Sequence, residues 1–333
     1  MVLIDSVKIK SSKIENNFLR IKTINIGASL FEIFHKKKKN NLILNLGSIS
    51  NYKYKNFYIG ATCGRYAGRI SNAKFKIKND VYYLSKNENK NILHGGKKGF
   101  DRLIWEKKSH SKNKIVYHLF SKHLDQGFPG NLNVSCTYEL RNKDLIIKYD
   151  YISDKYTHVN LTNHCYWNLN SIKKKNIFNH DLKINATQYL EVNRTLIPTG
   201  KLKKTTRTIN DFQSFLNIGK KIILIKKQKI KKISNTINQS GFDLTYIVKK
   251  NPRNYVASLR NTNNNIKVDI FSNLPGVQLY TSQGLRYKKK LFPYQGVCLE
   301  TQFFPDSPNN KKFPITLIKP NKNYSYYTRL KIN

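Results

Sequence analysis

Hydrophobic and polar residues alternate with a period of two along much of the chain. In residues 131–153 the alternation runs on both sides of the segment RNKD, which is predicted to turn the chain. Such a pattern is typical of an antiparallel hairpin with one buried face. The buried face is predicted to carry Leu132, Val134, Cys136, Tyr138 and Leu140, and after the turn Leu145, Ile147, Tyr149 and Tyr151.

Two more hairpins follow from the same alternation. One spans residues 74–85 and is predicted to turn at Asn79-Asp80, and the other spans residues 254–273 and is predicted to turn at residues 261–265. Period-two alternation therefore accounts for three separate parts of the chain, which favours a fold built from antiparallel strands.

Helical patterns are scarce by comparison. Residues 210–216 predict one short helix with Asn210 as its N-cap, and the lysine-rich segment 219–233 is interpreted as a surface excursion. No internal repeat and no composition shift marks a domain boundary. The pattern therefore predicts a single domain over residues 1–333, an all-β, large antiparallel β-sandwich with few short helices.

Composition limits the class of protein without identifying a function. No apolar run is long enough to span a bilayer, and the start, MVLIDSVKIK, lacks the layout of a secretion signal, so we expect a cytoplasmic protein. The four cysteines are far apart and have no C-x-x-C spacing, which favours buried free thiols over a zinc site or disulfides. They are Cys63, Cys136, Cys165 and Cys298.

The formal net charge of +42 would suit a nucleic-acid-binding protein, since 61 basic residues face 19 acidic ones. The lysines are scattered, however, and the chain is also rich in Asn, Ile, Tyr and Phe, whose codons are AT-rich. We interpret the charge as biased composition. No specific nucleic-acid partner is expected, although weak binding to polyanions at low salt is.

Polar side chains occupy one face of the segment VNLTNHCYWNLN, residues 159–170. The opposite face is apolar and is predicted to join the core. The polar face suits either a bound sugar or open solvent, and the spacing alone does not separate the two. Its members are Asn160, Thr162, His164, Tyr166 and Asn168.

A carboxylate, Glu300, lies in the apolar stretch GVCLETQFF, where burial is costly unless something compensates the charge. Glu300 shares a strand face with Cys298 and Gln302. In the stretch LPGVQLYTSQG, Gln278 likewise shares a face with Tyr280. The plain alternative for Glu300 is a structural ion pair with one of the many basic residues.

Three other polar residues also have plain alternatives. Arg69 could be a solvated arginine beside a tight turn, His94 a surface histidine in a loop, and Asp243 a turn aspartate. With His164 and Glu300 they could instead form an acid–base site. Metal ligation is less favoured because no H-x-H or H-E-x-x-H spacing is present. A glycosidase would need two carboxylates, which Asp243 and Glu300 could supply.

Seven short motifs, taken in order, resemble those of the aldose 1-epimerases. They extend from about residue 57 to residue 310, and the strand-rich ends fit as well. Each motif is modest alone, but the ordered set is highly specific. The motifs are GRYAGRISNAKF, NILHGGKKGFDRLIWE, DQGFPGNL, LTNHCYWNL, GFD, LPGVQLYTSQ and LETQFFPDSPN.

The resemblance implies a galactose mutarotase-like supersandwich with an open sugar-binding cleft. It also implies interconversion of the α and β anomers of a free aldose, the small-molecule substrate, without cofactor or metal. Matched motif by motif, Glu300 is the implied general base and His164 the implied general acid. The implied substrate contacts are Arg69, His94, Tyr166, Asp243 and Gln278.

The chain departs from the family pattern GRxANRI at one position, where Gly68 replaces the usual Asn. The change removes an amide that would hold a sugar hydroxyl, so it bears on affinity and sugar preference more than on the chemistry. The rival interpretations are an epimerase of phosphorylated sugars, a sugar-binding module that has lost catalysis, and a polyanion-binding protein. A monomer or a homodimer is expected.

Overall fold

The computed structural model describes residues 8–54, 57–171, 175–230 and 240–333, and most of their regular structure is β-strand. The first thirteen strands are β1 Ser11–Glu15, β2 Leu19–Ile24, β3 Ser29–His35, β4 Asn40–Asn41, β5 Thr62–Cys63, β6 Arg69–Ile70, β7 Lys74–Ile77, β8 Asp80–Tyr83, β9 Ile92–Leu93, β10 Glu106–His110, β11 Lys114–Ser121, β12 Leu132–Arg141 and β13 Asp144–Ser153. The others are β14 Thr157–His158, β15 Thr162–Asn163, β16 His180–Ile184, β17 Gln188–Val192, β18 Pro198–Lys204, β19 Leu216–Asn217, β20 Asp243–Ile247, β21 Tyr255–Asn261, β22 Ile266–Ser272, β23 Gly276–Tyr280, β24 Cys298–Gln302, β25 Leu317–Ile318 and β26 Tyr324–Ile332.

The strands form three larger sheets and four two-stranded ladders, and the named strands pair antiparallel. The largest sheet has the order β10-β11-β12-β13-β26-β22-β21-β16-β19. A five-stranded sheet has the order β18-β17-β20-β23-β24, and a four-stranded sheet runs β1-β2-β3-β4. One large hydrophobic core draws residues from all three sheets, for example Tyr138, Leu279 and Ile21. The predicted all-β sandwich is therefore confirmed.

All three predicted hairpins are present. The pair β12–β13 buries the expected apolar face, with Val134 and Cys136 fully inaccessible, and its loop is the predicted turn. The pair β21–β22 turns within residues 262–265. The pair β7–β8 turns one residue earlier than predicted, because Ile77 pairs with Asp80 and Lys78 takes a positive φ of 53°.

The short helix predicted over residues 210–216 is wrong. Phe212 is buried, and its ring meets that of Phe242 at a centroid distance of 5.2 Å. The carbonyl oxygen of Phe212 accepts a hydrogen bond from the Ile184 amide instead of one from a helical turn. Long-range packing therefore overrides the local helix signal.

The surface excursion predicted over residues 219–233 is also wrong as far as the structure describes it. An α-helix, α1, spans Ile218–Ile230, and residues 231–233 lie outside the described ranges. Ile218, Ile222 and Ile225 are buried, so the helix packs one apolar stripe against the protein. The described part of the chain also contains short 3₁₀ segments, Ile49–Lys53, Ser71–Ala73, Phe100–Arg102, Asp125–Gly127 and Ser307–Asn309.

The four cysteines are buried and free, as predicted. Among the described helices, none is long and apolar enough to cross a membrane.

A buried arginine ties together loops at one end of the fold. Arg65 is 2% exposed, and its two terminal nitrogens donate to the carbonyl oxygens of Pro129, Gly130, Ser121 and Lys122 at 2.8–3.1 Å. The Ser121 hydroxyl accepts a further bond at 2.6 Å. Burial lowers the pKa of Arg65 to about 10, so the group remains a cation at neutral pH. This ring of acceptors is called the arginine socket below.

Candidate active site

A cavity of about 840 Å³ opens beside the five-stranded sheet. It brings together residues from β6, β20, β23 and β24 and from the loops around residues 94 and 164. Every site residue predicted from the sequence lines this one cavity: Arg69, His94, His164, Tyr166, Asp243, Gln278 and Glu300.

Three neighbouring strands of the five-stranded sheet supply one wall of the cavity. In the ladder, Glu300 of β24 lies opposite Gln278 of β23, and Gln278 lies opposite Thr245 of β20. Asp243 lies opposite Tyr280 in the same register. Because paired residues on adjacent strands point to the same face, these side chains are aligned side by side.

Glu300 and His164 face each other at the floor of the cavity. The Oε1 atom of Glu300 lies 3.5 Å from Nε2 of His164, and the two side chains are 2% and 5% exposed. The second carboxylate oxygen, Oε2, is buried and has no hydrogen-bond partner among the described residues. The structural ion pair considered for Glu300, with a lysine or arginine, is therefore absent from the described part of the chain.

Burial shifts the two pKa values in opposite directions. It raises the pKa of Glu300 well above its usual value, with Asp243 adding to the rise and Arg69 opposing it. Burial lowers the pKa of His164 to about 4. Desolvation of the buried imidazole therefore outweighs any rise in its pKa that the neighbouring Glu300 carboxylate would cause. Between these two pKa values the pair carries one proton.

The segment that carries His164 is buried on both faces. Asn160 donates from Nδ2 to the carbonyl oxygens of Ala67 and Phe303, and Asn168 donates to that of Gln295. These amides hold the segment in place, and neither of them lines the cavity. Of the predicted polar face, only His164 and Tyr166 reach the cavity, and none of it is solvent-facing.

Arg69 is held by a bidentate ion pair. Its Nε and Nη2 atoms donate to the two carboxylate oxygens of Glu88 at 2.6 and 2.8 Å, and the arginine side chain is 13% exposed. The alternative of a solvated arginine is therefore wrong. A guanidinium fixed in this way presents its remaining N–H groups in a defined direction.

His94 is buried, so the alternative of a surface histidine is wrong. Its backbone and side chain both bind Gly68: the His94 amide donates to the Gly68 carbonyl at 3.0 Å, and the Gly68 amide donates to Nδ1 at 3.2 Å. An Nδ1 that accepts a bond leaves the proton of the neutral ring on Nε2. Burial lowers the pKa of His94 well below its usual value, so His94 is a neutral N–H donor.

Metal ligation is the competing use of this cluster. Ligand atoms of His94, His164 and Glu300 lie within 4.8 Å of one another. The Gly68 bond to Nδ1 of His94 opposes coordination, because it places a proton on the nitrogen that would otherwise bind the ion. The arrangement therefore suits a hydrogen-bond donor beside an acid–base pair better than a metal site.

Gly68 lines the cavity with a positive φ of 77°. A Cβ atom at this position would lie 2.9 Å from Cγ of Pro305, whose ring cannot move aside. Glycine therefore suits both the backbone conformation and the contact.

Asp243 and Gln278 belong to a fixed polar chain. The Nε2 atom of Gln278 donates to Oδ1 of Asp243 at 2.5 Å, and the hydroxyl of Thr245 donates to Oε1 of Gln278. With both ends of its amide occupied, Gln278 has a single orientation and one N–H left over. Asp243 starts strand β20 and lies in the sheet ladder, so it is not a turn aspartate.

Several cavity residues have no counterpart among the sequence predictions. Tyr58 packs its ring against those of His94 and His164 at centroid distances of 4.6 and 5.7 Å. Glu88 orients Arg69. Neither lies in a motif that drew attention, and only the folded chain brings them to the cavity. Gln302 could have been found, because it shares a strand face with Glu300.

Comparison with known proteins identifies the family of this chain. The family model described as aldose 1-epimerase matches residues 10–331. The galactose mutarotase of Homo sapiens is 30% identical over 335 residues, which cover 98% of this chain and 94% of that protein. The aldose 1-epimerase of Haemophilus influenzae is 34% identical over 272 residues, covering 80% and 77%. The crystal structure of an aldose epimerase homologue from C. elegans superposes with a TM-score of 0.87 at 25% identity, covering 98% and 99%. The chain belongs to the aldose 1-epimerase family.

Proposed function

We propose that this protein is a mutarotase that interconverts the α and β anomers of free hexoses such as glucose and galactose. The observation that carries the proposal is the buried pair of Glu300 and His164, 3.5 Å apart at the floor of a cavity. Mutarotation needs one proton removed and one delivered in the same site. A pair that shares a single proton supplies both functions.

Ring opening in this mechanism begins with Glu300 as carboxylate and His164 as imidazolium. Glu300 takes the proton from the C1 hydroxyl, His164 gives a proton to the ring oxygen O5, and the C1–O5 bond breaks. The open aldehyde then faces a protonated Glu300 and a neutral His164. Rotation about C1–C2 presents the other face of the aldehyde. As the ring closes, Glu300 gives its proton to the C1 oxygen and His164 takes back the proton from the O5 hydroxyl.

The opposing pKa shifts fit this cycle. The form that burial favours without sugar, protonated Glu300 and neutral His164, is the form that faces the open aldehyde. The form that opens the ring has the same number of protons, with one moved across the 3.5 Å gap. The cycle therefore needs no proton from solvent, which suits a site whose two groups are almost fully buried.

The other cavity residues are proposed to bind the sugar. Neutral His94 offers an N–H donor, and Arg69 offers the N–H groups that Glu88 leaves free. Asp243 accepts from hydroxyl groups, and Gln278 contributes its remaining amide N–H. Tyr166 lines the cavity beside His164, with ring centroids 4.9 Å apart.

We infer that residues 1–333 act as one functional domain in the cytoplasm, as a monomer or homodimer without a specific nucleic-acid partner. The match of the family model to residues 10–331 supports the single domain.

The test is polarimetry on freshly dissolved α-D-glucose and α-D-galactose with catalytic amounts of protein. Wild type is expected to relax at least one sugar far faster than buffer. Glu300→Gln is expected to lose about 10²–10⁴-fold of the rate, because the base is removed. Glu139→Gln, on strand β12 of the nine-stranded sheet and paired with Arg141, lies outside the cavity and is the matched control, which keeps full activity. A wild-type rate equal to buffer on both sugars would overturn the proposal.

A further inference from the structure

Strand β24 contacts both ring nitrogens of His164. Glu300 lies at Nε2, and Cys298, two residues earlier on the same strand face, has its Sγ atom 3.5 Å from Nδ1. Cys298 is fully buried and His164 is 4% exposed, so water does not replace this contact. The backbone holds the histidine as well, since its amide donates to the Ala61 carbonyl oxygen at 2.9 Å.

The partner of one ring nitrogen decides what the other can do. A carboxylate at the far nitrogen is a common arrangement and stabilises the imidazolium. A thiol is a weak acceptor and a weak donor, and burial raises the pKa of Cys298 well above its usual value, so the group stays neutral. It can therefore orient the ring without favouring the cation strongly.

Turnover sets a requirement on the proton at Nδ1. In the proposed cycle His164 loses and regains a proton at Nε2, the nitrogen that faces Glu300. The Nδ1 proton must then stay in place throughout. If the thiol donated to Nδ1 instead, neutral His164 would carry its proton on Nε2 and could not accept one from the sugar there.

We propose that Cys298 is a positioning residue, whose sulfur accepts the Nδ1–H of His164 and so keeps Nε2 as the proton-exchanging nitrogen. This inference deepens the proposed function and rests on it. The titratable and aromatic groups that face the His164 ring are Cys298, Glu300, Tyr58, His94, Tyr166 and Tyr280. Of these, only Cys298 has a hydrogen-bond contact to Nδ1 within the described residues.

The kinetic test compares Cys298→Val, which replaces the thiol with a slightly larger apolar group and removes the acceptor, with Cys298→Ser, which keeps an acceptor. Cys298→Val is expected to lower kcat by about 10–100-fold with KM little changed, and to shift the pH–rate profile. Cys298→Ser is expected to restore most of kcat. Cys136→Val, at a buried thiol in the nine-stranded sheet, is the matched control for a packing change and should leave kcat and the profile unaltered.

A second readout does not depend on activity. Correlation of ring nitrogens with ring protons by ¹⁵N NMR, with the His164 signals assigned from His164→Asn, reports which nitrogen is protonated. Wild type is expected to show the Nδ1–H form, and Cys298→Val a mixture of both forms.

Two results would overturn the inference: an Nε2–H form in wild type, or the same tautomer and kcat in Cys298→Val as in wild type. If wild type shows no mutarotation, the proposed function fails while the NMR experiment still tests the contact with Cys298.

Discussion

Two buried ionisable groups, Arg65 in the arginine socket and Glu300 at the cavity floor, differ in how their surroundings compensate the charge. Each residue is 2% exposed. The terminal nitrogens of Arg65 donate to five protein oxygens at 2.6–3.1 Å, whereas Glu300 has one contact at 3.5 Å and an oxygen without a partner among the described residues. A buried charge with many protein acceptors around it fixes loops, and one with few protein contacts costs stability but remains available to a substrate.

The largest expected effect is at the arginine socket. Arg65→Met should lower the free energy of unfolding by about 3–5 kcal/mol, because it removes the cation and leaves buried carbonyl groups unpaired. Urea unfolding measures the change, with the exposed Arg141→Met as the control, which should stay within about 0.5 kcal/mol of wild type. The molecules that remain folded should keep their activity. If Arg65→Met lost activity without losing stability, Arg65 would not have the purely structural role that distinguishes it here from Glu300.

The next effect concerns the carboxylate that raises the pKa of Glu300. Asp243→Asn should raise KM about tenfold, because an amide replaces a charged acceptor for sugar hydroxyls. It should also move the alkaline limb of the pH–rate profile to lower pH, since Asp243 contributes to the raised pKa of Glu300. Initial rates over a pH series give both quantities. The exposed Asp80→Asn is the control, and an unmoved alkaline limb would show that Asp243 does not act on Glu300.

A smaller effect is expected at Glu300, where substitution should increase the stability of the protein, whereas substitution of Arg65 should decrease it. The pKa of Glu300 is higher in the folded state, so wild type loses stability as pH rises from the unfolded value towards the folded one. Glu300→Gln removes this loss. It should be more stable than wild type by at least about 1 kcal/mol at high pH, with the difference shrinking towards pH 4.5. Equal stability of Glu300→Gln and wild type at all pH values would show that the protein compensates the charge of Glu300 as it does that of Arg65.

The smallest expected effect is on the pH dependence of stability, and it concerns His158, a buried histidine outside the cavity. His158 is buried, bonds Thr316 through Nδ1 at 2.8 Å, and lies away from the cavity. Burial lowers its pKa to about 4, so its contribution to stability is present above pH 6.5 and is lost as pH falls towards 4. His158→Gln should reduce the slope of the free energy of unfolding against pH in that window. The reduction should correspond to less than one proton bound per molecule on unfolding. An unchanged slope would show that His158 does not titrate with folding.

The candidate site was largely predictable from sequence, and its electrostatics were not. Short motifs marked all seven predicted residues, and the structure brings them to one cavity. Sequence spacing gave no sign of the low pKa of His164, because desolvation depends on everything packed around the ring. The partners Glu88 and Tyr58 were missed for the same reason, since they meet the site only through long-range packing.

The sequence alone was enough to predict three hairpins, and the buried face of the longest one, because a side-chain period of two is a local property of the chain. It determined the family too, through the order of the motifs. Tertiary structure decided the rest. Phe212 packs into the core and does not form a helix. Asn160 bonds the Ala67 carbonyl while His164 reaches the cavity, and the sulfur of Cys298 contacts Nδ1 of His164. Those outcomes depend on residues distant in sequence, whose burial and hydrogen bonds exist only once the sheets have packed.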